Sequence, residues 1–206
     1  MLATLFLLGA GWLSAPPSHA GVKGEWSDNV SRDLSFSRIL VVGISPDRNQ
    51  RCRFERSMAS KIGSANTVAL VSCDVIPPQA PLTRESVEAA VAAENADAVF
   101  TTSLISTSWE TQEGGTHDTR GTANYKATDA YYGVYGTVVA VDFRTSAPIT
   151  TVEGEAHVTS KLYETRGATV VYTVDTKIRN VQSTGEGLAD TTGPISKRLR
   201  KAGLIR

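Results

Sequence analysis

The chain reads as a single α/β domain with a mixed sheet: a parallel βαβαβ first half, an antiparallel meander in the second half, and a closing C-terminal helix. Three observations predict this. Aliphatic runs of strand length alternate with amphipathic stretches over residues 38–105. Beyond residue 130 the apolar period becomes two. Helical spacing then returns from Leu188 to Ala202. The length of 206 residues suits one domain with a core of its own.

The first strand is the aliphatic run Arg38 to Ser45, as expected for a strand buried on both faces. Pro46 and Asp47 open a turn, after which Phe54, Met58 and Ile62 recur at helical spacing until Gly63. Thr67 to Val75 reads as a second strand ending at Pro77 and Pro78. Thr83 then has the chemistry of an N-cap for a helix reaching Asn95, with Glu85 suited to its first turn. Asp97 to Ile105 is the third strand, and connections of this kind build parallel sheets with right-handed crossovers.

Residues 110–130 are polar, rich in Gly and Thr, and aperiodic, which predicts a long loop. Strand patterns follow at Tyr132 to Phe143, at Ile149 to Tyr163 and from Val170 to Arg179, together an antiparallel meander with one wet face. In the last helix Pro194 is best placed in the first turn, and Gly203 beyond the end.

The beginning of the chain carries a different signal. Residues 1–20 hold no Asp, Glu, Lys or Arg, and Leu2 to Leu13 is an apolar run of 12 residues. Pro16 and Pro17 precede Ser18-His19-Ala20, a small-x-small pattern for signal-peptide cleavage after Ala20. The run is shorter than the ~20 apolar residues of a membrane-spanning helix. Residues 1–20 are therefore expected to be a signal peptide, 21–37 a polar leader and 38–206 the domain, exported to the periplasm or secreted. No Cys stands near the cleavage point, so no lipid anchor is expected there.

Composition removes whole classes of function. Lys and Arg total 21 against 21 Asp and Glu, all beyond residue 20, which argues against a nucleic-acid partner. Two Cys are too few for a four-Cys zinc site or a disulfide scaffold.

Over most of residues 36–206 the order of segments resembles a class of small bacterial periplasmic proteins and lipoproteins. The segments that carry the likeness are RILVVGIS, RCRFERSMASKIG, the TRESVE helix, the NADAVF strand start, LYETRGATVVYT and the closing RLRKAGLI. Their domain is similar to the amino-terminal domain of TolB and to the curli-secretion lipoprotein. The resemblance implies a mixed sheet covered by helices and an accessory or binding role in the envelope. It carries over no catalytic residue.

Cys52 opens the first helix and Cys73 lies near the end of the second strand, so both sit at one edge of a parallel sheet. In an oxidising compartment they are expected to pair, closing a loop worth about 3 kcal/mol. The rival reading is a reactive thiol activated by Arg51 and Arg53.

Trp109, Tyr125, Tyr131, Tyr132 and Tyr135 flank the long loop. They could line a groove for a peptide, glycan or envelope protein, or they could pack the loop onto the sheet. Both readings stand.

Catalytic signals are weak. Glu153, Glu155 and His157 alternate along one strand face, too spread to converge on a metal. No nucleophile elbow or phosphate loop occurs. No cofactor, metal or catalytic residue is assigned. The leading expectation is a non-catalytic envelope binding or scaffolding protein. The alternative is an envelope hydrolase with a polar site near the strand ends, such as Asp47, Arg53 and Asp74. The basic tail of Lys197, Arg198, Arg200, Lys201 and Arg206 suits helix capping or contact with anionic lipid or cell-wall polymer.

Overall fold

A computed structural model of the chain describes the backbone of residues 19–45, 47–111, 119–127, 136–143, 152–179 and 184–206. Side chains are described for 21–45, 47–103, 155–179 and 190–206. The elements in order are β1 (His19–Trp26), β2 (Arg38–Ile44), α1 (Arg48–Ile62), β3 (Val68–Val71), α2 (Ser72–Val75), α3 (Arg84–Glu94), β4 (Ala98–Thr111), β5 (Thr119–Ala127), β6 (Gly136–Phe143), β7 (Val152–Glu164), β8 (Thr169–Arg179) and α4 (Thr184–Lys201).

Among the described residues the strands join one sheet of eight, with the main path β1-β8-β7-β4-β2-β3, β5 branching from β4 and β6 pairing with β5. β2 runs parallel to β3 and to β4, as the βαβαβ pattern requires. Its alternate side chains are buried on both faces, which explains the unbroken aliphatic run. Ile39 and Val41 meet Phe54, Met58 and Ile62 of α1 and Ile195 and Leu199 of α4 on one face. Leu40 and Val42 meet Val87 and Ala90 of α3 on the other.

Local chemistry sets the helix ends. The Asp47 carboxylate accepts from the N–H groups of Asn49 and Gln50 and caps α1. Thr83 and Ser86 form a reciprocal capping box on α3, and Asn95 closes that helix in the left-handed region at φ 50°. Gly203, at φ 78°, ends α4 while Leu204 N–H reaches back to the Leu199 carbonyl.

β4 is the spine. One of its edges pairs with β7 along its whole length, while the other pairs first with β2 and then, from Ser106 on, with β5. The second half of the sheet is antiparallel as expected, but its order differs from a simple meander: β6 pairs with β5, and β7 returns to β4. The stretch expected as a loop over 110–130 holds the end of β4 and all of β5. Thr-rich sequence tolerates a strand once a long neighbour supplies its ladder.

Three further expectations need correction. Residues expected as the start of a polar leader form β1, antiparallel to β8. Val22, Gly24 and Trp26 share one face and Lys23 and Glu25 the other, so the period of two was present but short. Ala20, the expected last residue of the signal peptide, lies in this strand opposite Ile178. The second strand ends at Val71, because Ser72 to Val75 turn into α2. Pro194 stands inside α4, not in its first turn. The register of buried Thr192, Ile195 and Leu199 runs through the proline and holds the helix together around it.

Gly24 has a specific task. A Cβ built there would meet the Tyr172 hydroxyl at 2.2 Å, so only glycine lets the Tyr172 ring lie across β1. That ring packs edge-on to Trp26 with centroids 5.4 Å apart.

Candidate functional site

The carboxyl ends of parallel strands are where open α/β sheets usually hold ligands. Here the ends of β2 and β3 converge on one side chain. Glu55, on the buried face of α1, has no solvent exposure. Its Oε1 accepts from the Gly43 N–H at 2.9 Å and from the Ser72 hydroxyl at 2.7 Å. Its Oε2 accepts from the Cys73 N–H at 2.8 Å. Arg51, one helical turn earlier and itself buried, stands 3.5 Å from Oε1.

Burial pushes the Glu55 carboxyl above its ordinary range. Donors from Ser72, Gly43 and Cys73 and the charge of Arg51 pull it back. Burial likewise lowers the Arg51 pKa, opposed by Glu55 and reinforced by Arg48. The Glu55 carboxyl thus accepts three hydrogen bonds with Arg51 beside it, which is the condition for tolerating buried charge.

Cys52 and Cys73 form the expected disulfide, with Cα atoms 5.6 Å apart. The reading of a reactive thiol is set aside, since no cysteine is free. Every polar group of Cys73 is engaged. Its N–H binds Glu55, its carbonyl accepts from Arg48 at 3.2 Å, and its sulfur lies 3.4 Å from Arg51 Nε. This cluster explains α2: Glu55 draws Ser72 and Cys73 inward and bends the chain out of β3.

Sequence reasoning missed Glu55. The signal available was its position: it falls between Arg51 and Met58 at helical spacing, inside the apolar stripe of α1.

The residues considered for a hydrolase do not gather. Asp47 is spent on capping α1, Arg53 is an exposed residue of α1, and Asp74 pairs with Arg56 at 2.6 Å. On β7, Glu155 lies near Lys177 and Arg179, and His157 is 4.0 Å from Asp175. Among the described residues no group of His, Cys, Asp or Glu could hold a metal ion.

The aromatic residues are only partly placed. Trp109 stands on β4 in register with Gly121 of β5 and Gly154 of β7, and Tyr125 stands on β5 opposite Val138. Tyr131, Tyr132 and Tyr135 lie outside the described residues. No helix among the described residues is long and apolar enough to cross a membrane.

No protein-family model matches the chain, and no curated protein matches it in sequence. Solved structures to which the chain is similar include the PelC dodecamer from Paraburkholderia phytofirmans, 13% identical with a TM-score of 0.45. That match covers 91% of this chain and 100% of that one. Lipoprotein GNA1162 from Neisseria meningitidis is similar at 16% identity and a TM-score of 0.41, over 80% of this chain and 99% of that one.

Proposed function

We propose that this chain is an exported, non-catalytic binding or scaffolding protein of the bacterial envelope. The observation that carries the reading is what fills the strand ends. The position where a parallel sheet would offer a ligand site holds Glu55, its donors and a disulfide, all serving one another. A disulfide of this kind belongs to an oxidising compartment, and the apolar run at Leu2 to Leu13 supports export.

The contact surface in this reading is the aromatic segment, with Trp109, Tyr131 and Tyr132 as anchors for a peptide, glycan or envelope protein. Capture from envelope extract by the immobilised chain tests it. Replacing the three aromatics by Ala should abolish capture while leaving the circular-dichroism melt nearly unchanged. A large melt shift would make the rings packing residues instead. Turnover of cell-wall or ester substrates by the purified chain would overturn the non-catalytic reading.

A further inference from the structure

Charge is balanced over the chain, 21 against 21, but not over the fold. α1 carries Arg48, Arg51, Arg53, Arg56 and Lys61, and its one acid, Glu55, is buried. After Asp190, α4 adds Lys197, Arg198, Arg200 and Lys201 and no acid. The two helices lie side by side on the same face of the sheet, so their cations collect in one layer.

The layer divides its cations by task. Arg56 pairs with Asp74, Arg198 donates to the Val22 carbonyl of β1 at 2.9 Å, and Arg200 donates to the Lys61 carbonyl. These arginines fasten the elements. Arg53, Lys61, Lys197 and Lys201 are exposed, and among the described residues no carboxylate pairs with them. Arg53 and Lys61 are about 12 Å apart along α1, and α4 runs beside it at the ~10 Å spacing of packed helices. The free cations therefore lie on the exposed sides of two adjacent helices.

We propose that this outward face of α1 and α4 docks the protein on a bilayer surface rich in anionic phospholipid headgroups. Cations spread over two adjacent helices suit an extended anionic surface, whereas a linear anionic polymer is gripped better by a charged groove. The start of the chain points the same way. The apolar run Leu2 to Leu13 leads into β1, and Arg198 of α4 clasps that strand at Val22, only about 10 Å of extended backbone from His19. An apolar run of this kind engages a membrane during export, and the strand that follows it is the one Arg198 of α4 clasps. The inference goes beyond the partner reading and uses none of its aromatic residues.

The test is sedimentation of the exported chain with vesicles. One set is phosphatidylcholine alone, and the other contains about one third phosphatidylglycerol. Binding is expected only to the anionic set, and it should fall away between about 0.1 M and about 1 M salt. A surface cation contributes about fivefold to partitioning, so Lys61→Glu, Lys197→Glu and Lys201→Glu together should lower it at least a hundredfold. A control reverses Lys23, Lys177 and Arg179 to Glu on the opposite, open face and should bind nearly as the parent does, with melts confirming that both variants fold. Equal binding to neutral vesicles, or an equal loss in the control, would overturn the proposal. So would capture of soluble heparin through the same lysines without vesicle binding. Aromatic-dependent capture from extract is read separately, so failure on vesicles leaves the partner reading standing.

Discussion

Glu55 Oε2 accepts a 2.8 Å hydrogen bond from the Cys73 N–H, so a buried carboxylate and a half-cystine fix each other in place. The bond joins α1 to the end of β3 at the point where the chain leaves the sheet. It also means that two stabilising devices, one covalent and one electrostatic, act on the same few residues.

Replacing Glu55 by Ala should cost about 3–5 kcal/mol, as when one partner of a buried pair is removed. An apolar residue of similar size is no remedy. Gly43, Ser72 and Cys73 would keep buried donors with nothing to accept them, at about 1–3 kcal/mol each before relaxation. Urea unfolding of Glu55→Ala and Glu55→Leu checks this, and a loss below about 1 kcal/mol in both would contradict it.

Removing the bridge with Cys52→Ala and Cys73→Ala should cost about 3 kcal/mol, because residues 21 apart in sequence are no longer tied in the unfolded chain. Equilibrium unfolding with and without reductant should show the same loss in the parent. The double variant itself should be indifferent to reductant.

The pH response of Glu55 has a definite sign. Burial raises its carboxyl pKa in the folded state above the ordinary value of 4.5, despite the opposing donors and Arg51. The folded chain thus holds this proton more tightly than the unfolded chain. The resulting stability is full below the unfolded value and is lost as pH rises through the folded one. Measured against Glu55→Gln from about pH 4 to about pH 8, the advantage of the parent should shrink with rising pH. An advantage that grows would show the carboxyl to be lowered instead.

Gly24→Val should loosen β1. The added carbons strike the Tyr172 ring, which is buried and packed on Trp26, and overpacking of this kind costs about 1–3 kcal/mol. Faster amide exchange confined to residues 19–26 is the expected readout. In a Tyr172→Ala background the Gly24→Val substitution should carry no such penalty; one that persists there would mean that the conflict lies elsewhere.

Much of the architecture was legible because local and tertiary preferences agree there. The runs at β2 and at the start of β4 are buried on both faces and show it in their aliphatic composition. The disulfide was legible because parallel strands bring Cys52 and Cys73 to one edge. What escaped was set by distant partners. β5 is a strand because β4 continues past β2 and offers an empty edge, which nothing within 119–127 announces. β1 depends on Tyr172 and β8 far along the chain. Glu55 is an acid in an apolar stripe, and its meaning emerges only when Gly43, Ser72 and Cys73 arrive as donors.

The pairing of β1 with β8 also governs when this protein can finish folding. The first described strand waits for the last, and the clasp from Arg198 to Val22 spans 176 residues. Contacts of such long range slow folding, because loop closure is costly until the final partner is present. A chain threaded outward from its amino terminus would therefore expose β1 long before β8 emerged. It would remain pliable throughout its passage and close its sheet only on the far side.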